Sequence, residues 1–419
     1  MKPLHLFDAT GVELEYMIVD ATSLNVRPIS DQLLQAAAGE LTGHYDKPGV
    51  SWSNELVLHV IEFKTTEPAT DLAAMVAPFS ADVQRINELL IPRHARLMPG
   101  GAHPWMEPFR EMHLWPHGDR EIYAAFNRIF DCRGHGWANL QSCHLNLPFQ
   151  GDEEFGRLHA AIRLILPLLP ALAASTPIVD GRVQSSLDFR LETYKTNSAR
   201  LPLITGQVVP EPVYSEAAYR ERILAPMYDA IAPFDPEGTL QDEWLNARGA
   251  IARFDRDAIE IRIIDVQECP LADLAIASLI VETLRTLVDE TWTGVKEQQG
   301  WQTAPLAAIL NSTIKEAEAA TITDPAYLHL FGMHAAQATA GQVWQHLFSH
   351  HQKQGAIPAI FHDPLGIILK QGCLARRMLR TLGNPVNRQG LTTLAERLCA
   401  CLATNTLLNT TASSPAESG

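Results

Sequence analysis

Apolar and other residues alternate along Gly11-Val12-Glu13-Leu14-Glu15-Tyr16-Met17-Ile18-Val19. A period of two predicts a half-buried strand. Val12, Leu14, Tyr16 and Ile18 face one way; Glu13 and Glu15 face the other. Residues 51–66 read as a second strand region carrying Glu55 and Glu62. Their odd separation puts them on opposite faces of one flat strand. For both to serve one site, Glu55 must lie before the strand or across a bulge. Alternation returns at 138–148, where Cys143, Leu145 and Leu147 oppose Ser142, His144 and Asn146. It returns again at 250–266: after a turn at Asp255 to Asp257, Ile259, Ile261 and Ile263 face the core while Glu260 and Arg262 share the other face.

Helical spacing fills the intervals. Asp71 reads as the N-cap of a helix bearing Leu72, Met75, Val76, Phe79, Val83, Ile86 and Leu90, with Pro78 expected to kink or interrupt it. Residues 152–173 predict an apolar helix whose end is broken by Pro167 and Pro170, and 215–231 predict another. From 271 onward the pattern is almost all helical, at about 271–291, 303–320, 336–351, 365–382 and 390–404, with His350 and His351 capping one helix toward solvent. Strands that carry acids or a histidine, separated by helices, predict an α+β fold. Its antiparallel sheet has helices on the apolar face and leaves the polar face open as a trough.

Composition narrows the partners. Among 419 residues there are 33 Lys plus Arg against 48 Asp plus Glu, a formal charge of −15. That excludes a general nucleic-acid binder, which needs a basic footprint, but not a nucleotide whose phosphates meet metal ions and a few arginines. The six cysteines are scattered with no Cys-x-x-Cys pair. The start lacks a signal-peptide apolar core, and no run of about twenty apolar residues could span a bilayer. The expectation is a cytoplasmic protein with reduced thiols and no membrane partner.

The polar positions then acquire chemistry. Two carboxylates two residues apart on one sheet face repel, so a cation is expected between Glu13 and Glu15; the alternative is a solvated outer face of the sheet. His144, on the polar face of a strand, is a candidate metal ligand; the alternative is a hydrogen-bonded sheet histidine. Glu260 and Arg262 repeat the first strand's layout with a guanidinium in place of one acid, or form an ordinary ion pair. Residues 180–200 have no clean period and carry Arg182, Arg190, Lys195 and Arg200. Such segments hold phosphate or carboxylate groups, or are simply solvated. Pro99-Gly100-Gly101-Ala102-His103-Pro104 is a tight loop whose histidine is either a surface residue or a catalytic one.

Taken in order, Gly11-Val12-Glu13-Leu14-Glu15, Glu55 with Glu62, Ala102-His103-Pro104, His144, Asp180-Gly181-Arg182 with Arg190, and Glu260-Ile261-Arg262-Ile263-Ile264-Asp265 resemble the motifs of the glutamate–cysteine ligase type of carboxylate–amine ligases, relatives of glutamine synthetase. The resemblance runs from about residue 9 to about residue 383. It implies a curved antiparallel sheet of about six strands with helices packed on the convex face. It also implies one catalytic domain over 1–402, whose part from about 271 is the helical region read above; the polar residues 403–419 predict a disordered tail. One Mg²⁺ would be held by Glu13, His144 and Glu260, and a second by Glu15, Glu55 and Glu62, with Mn²⁺ an alternative. ATP is the implied co-substrate. Arg262 would steady the phosphoryl group in transfer, with Glu260 and Glu13 beside it. Asn146 and Lys195 would lie on the nucleotide side, and His103, Arg182, Arg190 and Arg253 would meet the substrate. Asn146 stands where relatives often have a second histidine. An amino acid and an amine would be the substrates, and a homodimer is the base-rate expectation. The rival readings are a phosphotransferase on the same scaffold and a nucleotide or metal sensor.

Overall fold

The period-two segments do form the strands, and their order puts the first one near the middle. The computed structural model describes residues 3–382 and 386–410. Its strands are β1 (Gly11–Asp20), β2 (His44–Tyr45), β3 (Val50–Asn54), β4 (Val60–Thr65), β5 (Ala95–Met98), β6 (Ser142–Pro148), β7 (Ile178–Val179), β8 (Arg182–Val183), β9 (Ala250–Arg253), β10 (Ala258–Asp265) and a small pair, β11 (Thr321–Ile322) with β12 (Ala338–Thr339). Eight of them join one sheet in the order β2-β3-β4-β1-β6-β10-β9, with β5 also on β1, and every pairing is antiparallel. The fold is α+β, as expected, with eight sheet strands where about six were anticipated. One edge of β1 pairs with β4; the other pairs with β6 over Gly11–Leu14 and with β5 over Met17–Asp20. β7 and β8 form a separate hairpin.

One sheet face is sealed by helices. Val12, Leu14, Tyr16 and Ile18 are fully buried in one core with Phe79, Val83 and Ile86 of the helix Leu72–Leu90, Leu158 and Ile162 of Gly151–Ile165, and Ile276 and Ile280 of Pro270–Val288. Burying large aliphatic side chains of this kind stabilises by about 1.5–3 kcal/mol each. Asp71 caps the first of these helices, accepting from the Ala73 amide at 2.8 Å, and the helix continues through Pro78. Pro167 and Pro170 act as expected: the α-helix ends at Ile165, and a 3-10 turn, Leu166–Leu168, precedes a short helix, Leu169–Ala173. Contrary to expectation, one helical run among the described residues, Gly151–Ala173, is long and apolar enough to cross a membrane, but 94% of its most apolar 18 residues are buried inside the protein, as in a core helix. All six cysteines are buried and free.

The opposite face is covered only in part. Met17, Val19 and Met98 pack against Ala395 and Cys399 of the helix Arg388–Thr404, which closes the far end of that face. Around Glu13 and Glu15 the face is not the open trough expected: Glu15, Glu62, His144 and Glu260 are buried and Glu13 is half-buried.

Several expectations need correction. The helix Ser30–Ala38 and the strongly amphipathic helix Arg120–Phe130 were not anticipated. The single helix expected at 365–382 is two, His362–Gln371 and Leu374–Thr381, because Gly372 takes φ 85° between them. His351 is buried rather than solvent-facing, with Nε2 3.3 Å from Thr283 Oγ1. The tail expected from 403 is fixed as far as 410: Leu408 is buried, and its amide donates to Glu268 at 3.0 Å. Residues 411–419 lie outside the described residues.

Candidate active site

Directly opposed residues of antiparallel strands share a face, so register decides which side chains meet. Lys64, Glu13 and His144 form one row across β4, β1 and β6. Ser53, Glu62 and Glu15 form a second across β3, β4 and β1. Gly11, Asn146 and Glu260 form a third across β1, β6 and β10. A Cβ on Gly11 would lie 3.0 Å from that of Asn146, so the bare backbone there leaves Asn146 room to reach Glu13.

The odd spacing of Glu55 and Glu62 is resolved by a chain reversal. The region read as one strand is the β3–β4 hairpin; Glu55 lies in its connection, just before the strand that bears Glu62. Carboxylate oxygens of Glu15, Glu55 and Glu62 lie within 4.8 Å of one another, and one ligand atom each of Glu13, Glu62 and His144 does the same. The first group is the second expected trio. The other differs from expectation, with Glu62 in place of Glu260. Glu260 Oε1 is 3.8 Å from His144 Nδ1 and accepts from Arg262 Nε at 3.0 Å. Glu62 is common to both groups.

Hydrogen bonds aim these groups. Glu13 is bonded to His144 Nδ1 at 2.9 Å and accepts from Asn146 Nδ2 at 3.0 Å. Glu15 accepts from the Ser142 amide at 2.8 Å, and Ser142 Oγ is 2.8 Å from His144 Nε2. Ser53 donates to Glu62, and Lys64 Nζ lies 3.4 Å from the same oxygen. One extra residue in β10 shifts its register against β6 between Ile261 and Ile264. Bulges re-aim side chains, and Arg262 sits in this one, its NH1 donating to the Asn246 carbonyl at 3.2 Å.

The electrostatics are those of crowded acids. Burial and the charge of Glu13 push Glu62 up to about 7. Burial, with Glu15 and Glu62 close by, pushes Glu55 well above the carboxylate range, and burial raises Glu15 as well. Burial works against ionisation of Glu13, yet its bond to His144 brings it down to about 2. Burial opposes the charge on His144 too, but Glu13, Glu15 and Glu260 raise it to about 9. Glu15 stands directly opposite Glu62, a destabilising placement unless a cation lies between. Carboxylate oxygens in such a cluster fit a hard divalent cation, and the set that includes imidazole also suits Mn²⁺.

The other expected contacts divide. His103 is fully buried. Its Nε2 is bonded to the Leu24 carbonyl at 2.8 Å and its Nδ1 accepts from the Trp105 amide at 3.2 Å, so no ring nitrogen is left for a substrate. Arg190 is buried in an ion pair with Asp265, its remaining nitrogens 3.4 and 3.5 Å from the Arg262 carbonyl. It supports the strand behind Arg262 rather than meeting a substrate carboxylate. Lys195 Nζ is taken by Glu192 and Asn311, both at 3.1 Å, away from the acidic rows. Arg253 shares the face of Glu260: Nε and NH2 are held by Asp255 at 3.0 and 2.9 Å, and NH1 lies 3.9 Å from Glu260. Arg182, on β8, is exposed. Sequence reasoning placed Ser142 on the polar face without a role and passed over Lys64, Ser53 and Tyr194, whose hydroxyl lies beside Arg262. The first three alternate with His144, Glu62 and Glu55, a signal that was present; Tyr194 is brought in by a helix, Phe189–Tyr194, that has no period of its own.

The sequence model of glutamate–cysteine ligase family 2 matches residues 9–399. The chain belongs to that family. Among curated proteins, this family member is 35% identical over 280 residues to an uncharacterised Archaeoglobus fulgidus protein, covering 67% of this chain and 75% of that one. It is 29% identical over 178 residues to a Rubrobacter xylanophilus protein provisionally named glutamate–cysteine ligase 2-3, covering 41% of this chain and 44% of that one. The match thus spans less than half of that named relative. Two solved structures share the fold. A glutamate–cysteine ligase from Francisella tularensis, in complex with AMP, superposes with TM-score 0.61 at 11% identity over 96% of this chain and 90% of that one. A bifunctional glutathione synthetase from Pasteurella multocida gives 0.58 at 14% identity, over 94% and 52%. The family and these structural neighbours are ligases.

Proposed function

We propose that this glutamate–cysteine ligase family 2 member is an ATP-dependent carboxylate–amine ligase that forms an amide, with a γ-glutamyl group as the acyl portion. The observation that carries the reading is the convergence of Glu13, Glu15, Glu55, Glu62 and His144 on one sheet face, with Arg262 held at its edge by Glu260. A carboxylate acylates poorly because its leaving group would be oxide. In the proposed reaction the substrate carboxylate attacks the γ-phosphorus of ATP, ADP leaves, and an acyl phosphate forms. The neutral amine then attacks the acyl carbon and inorganic phosphate leaves. Phosphoryl transfer of this kind needs alignment and charge neutralisation more than covalent help.

Glu15, Glu55 and Glu62 would hold one divalent cation and Glu13, His144 and Glu62 the other, with Glu260 within reach of the histidine. When bound, such ions neutralise phosphate oxygens and orient the transferred group. Arg262 contributes a planar fork held by Glu260 and the Asn246 carbonyl, with the Tyr194 hydroxyl beside it, so it meets an oxygen of the moving phosphoryl group with little reorganisation. Asn146 spends one amide hydrogen on Glu13 and keeps the rest for nucleotide. Arg253, through NH1, and the exposed Arg182 are the arginines left for the amino acid's carboxylate.

A hydroxylamine trap tests the proposal. Protein is mixed with Mg²⁺, ATP, hydroxylamine and one carboxylate at a time, and hydroxamate is read by its ferric colour. Hydroxamate with L-glutamate is the expected result. ADP release with no hydroxamate from any carboxylate would favour a phosphotransferase. Nucleotide binding without either product would favour a sensor.

A further inference from the structure

Lys64 differs from the other cations of the acidic face. His144 is locked between Glu13 and Ser142, Arg262 between Glu260 and the Asn246 carbonyl, and Arg253 by Asp255. The Lys64 ammonium has one hydrogen bond among the described residues, at 3.4 Å to Glu62 Oε2. Its side chain is 38% exposed while that of Glu62 is 10% exposed, so the ammonium reaches inward from the rim. Its register partner is Glu13, and its one acceptor, Glu62, is the carboxylate shared by both candidate cation groups.

A compact ammonium on a flexible stem is a mobile point charge, unlike a guanidinium fixed by its fork. Divalent ions flanking Glu62 would compete for its oxygens and repel the ammonium at a few ångströms. The exposed stem lets the charge withdraw toward the rim, where a nucleotide's phosphates would enter.

We propose that Lys64 is a resident counter-charge of the acidic face, competing with divalent cations for Glu62 and, once they bind, turning to the anionic oxygens of the nucleotide. This rests on the metal and nucleotide reading above, and the test separates the two. Mn²⁺ binding to nucleotide-free protein is followed by loss of the free-ion paramagnetic resonance signal, for wild type, Lys64→Met and Lys64→Arg. The expected result is that Lys64→Met binds Mn²⁺ about 5-fold tighter, with Lys64→Arg close to wild type. In turnover, Lys64→Met raises KM for ATP about 10-fold with a smaller change in kcat. Its Tm falls in chelator and recovers with Mn²⁺, which shows the variant is folded. Unchanged or weaker Mn²⁺ binding in Lys64→Met, with wild type binding normally, overturns the competition. Tighter Mn²⁺ binding with an unchanged KM for ATP overturns the nucleotide contact. No Mn²⁺ binding to wild type overturns the metal reading of the whole face, and this proposal with it.

Discussion

Glu13 is the residue on which the acidic face turns. It is bonded to His144 and Asn146 and stands opposite Lys64, so one carboxylate organises three strands. Glu13→Gln keeps the shape and removes the charge. It is expected to lower kcat for ATP turnover by about 100-fold or more, with an unchanged circular dichroism spectrum. Arg262→Lys is expected to cost a similar factor, because an ammonium cannot reproduce the fork that spans Glu260 and the Asn246 carbonyl. A steady-state assay showing only a two-fold loss in either variant would remove that residue from the mechanism. His103 and Arg190 teach the opposite lesson. Both carry suggestive chemistry in sequence, yet both are consumed by buried partners. A buried polar group needs its hydrogen bonds internally, and residue type alone does not reveal whether that demand has been met.

At the scale of elements, the site depends on two irregularities, the reversal between β3 and β4 and the bulge in β10. Each places a side chain that a straight strand would send elsewhere. The C-terminal segment is a third case. Arg377 and Glu268, both fully buried, form an ion pair, and Leu408 seals it: its amide donates to Glu268 and its carbonyl accepts from Arg377, each at 3.0 Å. Removing one member of a buried pair strands the other charge, at a cost of about 3–5 kcal/mol. Arg377→Met is therefore expected to destabilise by that amount in urea unfolding, with Mn²⁺ binding intact. A loss below about 1 kcal/mol would mean that the pair is neutral in the fold.

Across the whole molecule, histidines buried as neutral groups contribute to the response to acid, alongside carboxylates such as Glu13 that are held below their ordinary range. Burial holds His59 and His351 at about 4 and His103 and His159 at about 3. An unfolded histidine takes up a proton as pH falls below 6.5, while these do so in the fold only near 3–4. Unfolding then binds protons, so their contribution is fully present above 6.5 and is lost as pH falls toward the folded values. The buried acids Glu55 and Glu62 work in the other direction, their contribution being lost as pH rises. A single variant isolates the histidine effect. In His351→Gln, the decline of stability between pH 6.5 and 4, followed by denaturant titration, is expected to be shallower than in wild type. An identical slope would show that His351 does not stay neutral in the fold.

The amino-acid sequence by itself determined the strand bearing Glu13 and Glu15, the strand bearing His144 and the strand bearing Glu260, which face of each is apolar, and the chemistry of their polar faces, but not the short strands β2 and β5 or the division of 51–66 into two. Alternation at 11–19, 138–148 and 250–266 reflects a period fixed by backbone geometry, and the order of the acidic motifs carried the family. Residue order also announced the Asp71 cap and the breaks at Pro167 and Pro170, since these act within one turn of chain. Only the tertiary structure decided which residues meet. That Glu62 rather than Glu260 completes the group with Glu13 and His144 follows from the β1–β4 register, a pairing between segments about fifty residues apart. That Lys64 stands opposite Glu13, that Tyr194 reaches Arg262 and that His351 is buried follow from long-range packing of the same kind. Local periodicity says which way a side chain points; which other chain segment stands opposite it is fixed only when the sheet closes and the core is filled.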